Sequence, residues 1–150
     1  MIKQNEKSRP QSGSRQGSGK VRTIIYDIKD GKPHFLILHR ILRWNGWEIL
    51  KETIEPGENF EQTLKRGIKE ETGLENFEII KDLNKTEKWE KDGAEYEIVA
   101  TFLVKADMDE KISLKQEIIE HDGCEWVDKE TAISKLTYQE TKELIKHLTI

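Results

Sequence analysis

The stretch from Lys51 to Leu74, KETIEPGENFEQTLKRGIKEETGL, constrains the fold more than any other part of the chain. Pro56-Gly57 makes a turn. Asn59 followed three residues later by Gln62 is a helix start of the capping-box kind, in which each side chain satisfies the other residue's backbone N–H. Phe60, Leu64 and Ile68 recur at spacing four, so they form one apolar stripe that has to dock on a sheet. Gly73 supplies the stop, because helices commonly end on a residue in the left-handed conformation that glycine adopts freely. The other surface of this helix carries Glu61, Glu70 and Glu71, with Glu58 at its entrance. Like charges this close are unfavourable unless water or a cation neutralises them. A solvated face is the ordinary explanation for any one of them.

Strands are expected on both sides of that helix. Val21, Thr23 and Ile25 alternate with Ile24, Tyr26 and Ile28 ahead of a turn at Asp30-Gly31-Lys32-Pro33, and His34 to His39 follows as a nearly continuous apolar strand. Arg40 to Asn45 reads as a loop and Trp47 to Leu50 as a short strand. Beyond the helix, residues 76–82 and 95–105 read as strands around a charged loop, Asn84 to Gly93, that contains Trp89. Cys124 to Val127 suggests a last strand. Asp128 can cap a short helix, and Thr137 with Glu140 forms a second capping-box start for a helix over Tyr138 to Leu148.

Composition narrows the class. A chain of 150 residues is one ordinary domain. Charged residues make up 36% of it, yet four Trp, three Tyr and four Phe are costly to leave in water, so most of the chain should fold. Its longest apolar run, Ile98 to Val104, includes Thr101 and falls far short of a bilayer span, so no membrane role is expected. The N-terminal stretch lacks the apolar core of a secretory signal, and a cytoplasmic location is expected. Cys124 is the one cysteine, so it has no disulfide partner and reads as a core thiol. Residues 1–20 are Ser/Gly/Gln-rich and carry +4, which leaves −8 on residues 21–150. The first segment reads as a disordered tail and the rest as the domain. An acidic domain disfavours a stable nucleic-acid complex, but a divalent cation would still let it bind polyphosphates.

Across Lys51 to Leu74 the spacing resembles the signature of the Nudix hydrolases: glycine, five residues, glutamate, seven residues, arginine, glutamate, an aliphatic, any residue, two glutamates, any residue, glycine, an aliphatic. Glu58, Arg66, Ile68, Glu70, Glu71, Gly73 and Leu74 fall on their places, seven of nine specified positions without a gap. The resemblance implies a loop-helix-loop that holds Mg²⁺ or Mn²⁺ and hydrolyses a nucleoside diphosphate linked to another group. Glu70 and Glu71 match family metal ligands, and hard carboxylate oxygens suit Mg²⁺. Glu58 and Arg66 match places that support the helix by ion pairing. The implied fold is α/β, an α/β/α sandwich with a central mixed sheet, and the elements read above occur in the family's order.

Two places depart from the pattern. Glu52 stands where the first glycine is expected, and Gly67 where the family has a glutamate that binds metal and is implicated in activating water. A glycine inside the helix forfeits that chemistry and costs roughly 1 kcal/mol relative to alanine. Residue 67 shares a helix face with Glu70 and Glu71. One carboxylate is lost and one gained, which leads to the expectation that Glu52 projects into the space vacated at Gly67 and acts as metal ligand or general base. The competing reading is an exposed Glu52 beside a decayed motif.

The resemblance extends over about Val21 to Ile150 and looks most like the asymmetric diadenosine tetraphosphate hydrolase branch. It is carried there by Trp47-Glu48-Ile49-Leu50-Lys51, Ile54-Glu55-Pro56-Gly57-Glu58, and Glu120-His121 followed by Trp126. In that branch water attacks a phosphorus and releases ATP and AMP. Glu120 is implied as a carboxylate reaching the metal from the far side, so the catalytic candidates are Glu52, Glu70 and Glu120 and the metal candidates Glu70, Glu71, Glu52 and Glu120. Lys51 and His121 are candidate phosphate contacts, although a plain surface histidine explains the latter as well. Trp89, Tyr96 and Trp44 are candidate base contacts, since aromatic rings stack on bases, and each also fits a core or rim position. Three functions remain: a metal-dependent pyrophosphohydrolase, a non-catalytic nucleotide sensor using the same pocket, and an interaction domain with a decayed site.

Overall fold

Asp30-Gly31 and Asp92-Gly93 each place two consecutive residues at positive φ, 54° and 76° in the first pair and 53° and 79° in the second. That is the geometry of two-residue hairpin turns whose twist matches the twist of their strands. The first pair joins β1 (Gly19–Lys29) to β2 (Lys32–Arg40), and the second joins β6 (Glu87–Lys91) to β7 (Ala94–Ala106). Between the hairpins run β3 (Gly46–Glu48), β4 (Leu50–Thr53), α1 (Phe60–Thr72) and β5 (Phe77–Asp82); β8 (His121–Asp128), α2 (Lys129–Lys135) and α3 (Gln139–Lys146) close the fold. The structure is a computed structural model and describes residues 19–113 and 119–150.

Among the described residues eight strands form one mixed sheet, ordered β3-β2-β1-β7-β5, with β4 beside β1, β8 beside β2 and β6 beside β7. The β1–β7 pair is parallel and runs from Gly19↔Glu97 to Tyr26↔Lys105, while the other strand pairs are antiparallel. Alternation along β1 and β2 builds a core on each face. Val21, Ile25, Leu36 and Leu38 meet Leu64 and Ile68 of α1 on one side. Ile24, Phe35 and Ile37 meet Ala132 and Leu136 beside α2 and Ile145 of α3 on the other. The expected α/β sandwich with helices on both faces is the fold observed.

α1 follows its sequence signals closely. Asn59 caps it, with both halves of the capping box present, and Gly73 ends it at φ 76°. Asp128 caps α2 by accepting from the Thr131 amide at 2.8 Å. Cys124 is half-buried against the α1-side core, and burial pushes its thiol up to about 11.

Several expectations are corrected. β1 begins at Gly19, so Gly19 and Lys20 belong to the sheet, and the remainder of the expected tail lies outside the described residues. The segment expected as a charged loop around Trp89 contains β6, because charges on both faces hide its alternation while its backbone pairs with β7 from Glu87↔Ile98 to Lys91↔Ala94. The strand expected at Trp47 to Leu50 is divided between β3 and β4 at Ile49, and the last strand starts earlier, at His121. Thr137 does not cap α3: Tyr138 is the N-cap residue without a side-chain bond, and the Thr137 hydroxyl instead accepts from the Trp47 amide at 3.0 Å, tying α3 to β3. No helix among the described residues is long and apolar enough to cross a membrane.

Candidate active site

The loop between β4 and α1 is fastened by Arg66. Its Nε donates to Glu58 Oε2 at 2.8 Å and its Nη2 to Glu58 Oε1 at 2.9 Å, a two-pronged pairing that suits a planar guanidinium. The same group donates to the Thr53 carbonyl at 2.7 Å, to Glu52 Oε2 at 2.9 Å and to Glu70 Oε1 at 3.4 Å. Glu58 also accepts from the Glu55 amide and the Thr63 hydroxyl. The bond from Arg66 first, and these further donors, hold the Glu58 carboxyl down to about 2. Glu58 and Arg66 therefore lock the loop onto the first two turns of the helix.

Glu52 leaves β4 directly against α1 at Gly67. A Cβ built on residue 67 would lie 2.9 Å from Glu52 Cβ, 3.1 Å from its Cγ and 3.2 Å from its Oε1. Burial raises the Glu52 carboxyl to about 7; the Arg66 bond opposes that rise, and the charges of Glu70 and Glu71 reinforce it. A carboxylate that titrates near neutrality beside other carboxylates has the proton affinity a general base needs.

Glu71, five residues on from Arg66, is buried and makes a separate contact. Its Oε1 meets His121 Nδ1 at 2.9 Å, while His121 Nε2 meets Glu48 Oε2 at 2.7 Å. A neutral imidazole has only one N–H, so contact with a carboxylate at each nitrogen favours the doubly protonated ring. Burial alone would lower the His121 pKa, but the bonds to Glu48 and Glu71 outweigh it and carry it up to about 9. Glu48 is correspondingly held at about 2: burial opposes this, and the His121 bond together with the Lys51 and Arg40 charges prevails. Glu120 precedes β8, its carbonyl accepting from the Ile41 amide at 2.9 Å and its carboxylate lying 3.8 Å from Arg40.

A cleft of about 620 Å³ opens beside these groups. Glu52, Glu48 and Glu120 stand along it, and Lys20, Arg40, Arg43 and Lys51 supply positive charge. Lys51 Nζ is 3.3 Å from Glu48 and lies over the Trp89 ring at 5.6 Å and the Tyr138 ring at 5.9 Å. Trp89 is stacked on Tyr96, with centroids 5.6 Å apart and planes at 17°. Trp44 meets Tyr138 edge-on at 5.2 Å. The cleft thus offers cations and flat aromatic faces together, which suits a nucleotide with several phosphates.

The expected site residues are gathered in part. Glu71, Glu120 and His121 bring one ligand atom each within 4.8 Å of one another. Two carboxylates converging from α1 and from the β8 entrance fit an oxygen-seeking divalent cation, which needs only a few protein oxygens beside water and phosphate. Glu52 and Glu70 are drawn to Arg66 instead, and the Glu70 side chain is 51% exposed. Lys51, Trp89, Tyr96 and Trp44 do line the cleft. His121 is not the surface residue weighed for it: it is 3% exposed with both nitrogens on carboxylates. Sequence reasoning missed Glu48, Arg40 and Lys20. Glu48 carried a signal, since an acid between Trp47 and Ile49 in an apolar strand has to be buried with a partner.

The NUDIX domain family model matches residues 19–148. No curated protein matches the chain. Among solved structures, a C. elegans Ap4A hydrolase binary complex superposes with a TM-score of 0.75 at 27% identity, covering 86% of this chain and 93% of that one. A second structure, of C. elegans Ap4A hydrolase, gives 0.71 at 25% identity over 86% and 93%. The E. coli dihydroneopterin triphosphate pyrophosphohydrolase gives 0.71 at 21% identity over 87% and 94%, a likeness of fold alone.

Proposed function

The chain belongs to the NUDIX family, and from that premise we propose that it is a metal-dependent pyrophosphohydrolase acting on dinucleoside polyphosphates of the diadenosine tetraphosphate kind or on related nucleoside diphosphate derivatives. Family membership supports hydrolysis of nucleoside polyphosphates in general. The likeness to C. elegans Ap4A hydrolase supports the narrower substrate class. The observation that carries the catalytic reading is the seating of Glu52 against Gly67: the carboxylate missing from the helix is returned to its neighbourhood from β4.

Glu71 and Glu120 would hold Mg²⁺ or Mn²⁺ in this reading, and Glu52 and Glu70, now paired with Arg66, would be further carboxylates available to the site. The bound ion supplies charge neutralisation on the phosphates and a lowered pKa for the attacking water. Glu52 accepts the proton as the water oxygen bonds to phosphorus and the bridging P–O bond breaks, the leaving phosphate departing with the electron pair. Lys51, Arg40 and Lys20 bind the phosphate chain, and Trp89 with Tyr96 offers a stacking surface for a base. Glu58 and Arg66 keep the loop in register with the helix.

A non-catalytic nucleotide-binding domain is the alternative, favoured by the engagement of Glu52 and Glu70 with Arg66 rather than with Glu71 and Glu120. A product-resolved assay with diadenosine tetraphosphate, ADP-ribose and nucleoside triphosphates, with Mg²⁺ or Mn²⁺ and with a chelator, separates the two. Metal-dependent release of ATP and AMP is expected. Nucleotide binding in a thermal-shift measurement without turnover would establish the alternative.

A further inference from the structure

His121 is sealed inside the protein, 3% exposed, and the proposed chemistry gives it no task. It sits at the first position of β8, where the register shift of the β2–β8 pair brings it opposite Arg40, the last residue of β2. From there its ring spans two elements. Nδ1 reaches Glu71 in the last turn of α1 at 2.9 Å, and Nε2 reaches Glu48 at the end of β3 at 2.7 Å. Glu48 continues the chain into the cleft, with Arg40 Nη1 at 3.2 Å and Lys51 Nζ at 3.3 Å. Glu71 has its other oxygen outside any hydrogen bond among the described residues, on a side chain that is 10% exposed.

Resting on the reading of Glu71 as a metal ligand, we infer that His121 is a positioning residue: its ring fixes one oxygen of Glu71 so that the other faces the cation, and ties that carboxylate through Glu48 to the cations that face the phosphates. Buried carboxylates turn freely about their last bonds unless something holds them, and partners that orient a ligand typically change metal affinity by about 10–100-fold when removed. The chain Glu71–His121–Glu48 holds two carboxylates at once, and both lie at the junction between the metal-facing and phosphate-facing halves of the site. Each ring nitrogen has a carboxylate oxygen at hydrogen-bond distance, so neither is turned towards a cation, which separates this role from direct ligation.

The test uses the full chain and Mn²⁺ as probe. In His121→Gln, which can donate from one amide nitrogen only, Mn²⁺ affinity by electron paramagnetic resonance titration is expected to weaken at least tenfold, with kcat falling in step and the KM for nucleotide within about threefold. Glu48→Gln keeps an amide against the ring and leaves Glu71 held, so Mn²⁺ affinity should stay within about threefold while KM rises through Arg40 and Lys51. Unchanged Mn²⁺ affinity in His121→Gln overturns the inference. Should His121→Gln fail to fold, the wild-type protein decides: pulsed electron paramagnetic resonance of bound Mn²⁺ should show no coupling to a directly bonded ring nitrogen. A directly bonded nitrogen would make His121 itself a ligand and overturn the inference. Wild-type protein that binds Mn²⁺ but hydrolyses nothing defeats the hydrolase reading and leaves the affinity test standing.

Discussion

Glu52 occupies the place against α1 that any side chain at residue 67 would need: its Cβ lies 2.9 Å from where a Cβ on that glycine would stand. Real Cβ atoms do not tolerate such a contact without movement, and the obstacle is the root of the Glu52 side chain, not its flexible end. The two departures from the motif are therefore one structural unit. A carboxylate can be presented from β4 or from α1, and the backbone separation leaves room for one.

Exchange of the pair tests this most directly. Gly67→Glu alone puts two acids into one volume and should lower kcat/KM by at least tenfold. Glu52→Gly alone removes the proposed base and should cost about 10²–10⁴-fold. The double variant Glu52→Gly/Gly67→Glu should be at least as active as wild type, and its helix gains roughly 1 kcal/mol from losing an internal glycine. Additive losses in the double-mutant cycle, measured by kcat/KM, would sink the idea of a shared site.

The base role proposed for Glu52 also fixes a pH profile. Its carboxyl is raised to about 7, by burial first and by Glu70 and Glu71 in addition. A general base must be ionised, so kcat/KM should fall below about pH 7 with a slope of one. Glu52→Gln should abolish that limb together with about 10²–10⁴ of the rate. A limb that survives the substitution assigns the titration to another group.

Much of this was readable from residues. The capping pair Asn59 and Gln62, the stripe Phe60, Leu64 and Ile68, and the stop at Gly73 fixed α1, because each signal is local and points the same way. β6 was hidden because Glu87, Lys88, Glu90 and Lys91 put charge on both of its faces, so its pairing with β7 is a backbone fact with no hydrophobic trace. Thr137 had the spacing of a cap, but its hydroxyl answers the Trp47 amide, a partner 90 residues away. His121 was illegible for the same reason: its partners Glu48 and Glu71 lie 73 and 50 residues off in sequence. The adjacency of Glu52 and Gly67 was legible because the spacing itself recorded a loss and a gain.

Acid stability should depend on Glu58. Its carboxyl is held at about 2 by Arg66 first and by backbone and Thr63 donors, against an ordinary value of 4.5. A depressed acid contributes stability that is complete above its unfolded pKa and lost as pH falls through the folded one. Unfolding by urea, with chelator present, should therefore show stability declining from about pH 4.5 towards pH 2, and Glu58→Gln should flatten that decline. Arg66→Lys cannot reproduce the two-pronged bond and should cost roughly 2 kcal/mol at neutral pH, the scale of hydrogen bonds to charged groups. An undiminished acid limb in Glu58→Gln would place the acid sensitivity elsewhere, with Glu48, also held at about 2, next in line.

Base recognition should depend on Trp89. Its ring lies flat on Tyr96 at 5.6 Å, and Lys51 is poised over it at 5.6 Å, so the cleft presents an aromatic surface beside a cation proposed to bind phosphate. Stacking of a base on such a surface is worth about 1–3 kcal/mol, or roughly 5- to 150-fold in binding. Trp89→Ala should raise the KM for diadenosine tetraphosphate within that range and leave kcat within about twofold, because the ring carries none of the carboxylates proposed to do the chemistry. Inhibition constants separate recognition from damage to the cleft. AMP should weaken as strongly as substrate, while inorganic pyrophosphate, which has no base to stack, should bind Trp89→Ala as it binds wild type. Lys51→Ala should do the reverse, weakening pyrophosphate at least as much as AMP. Equal weakening of AMP and pyrophosphate by Trp89→Ala would mean that the indole shapes the cleft rather than reading the base, and would move the base contact to Trp44 and Tyr138, which also line the cleft.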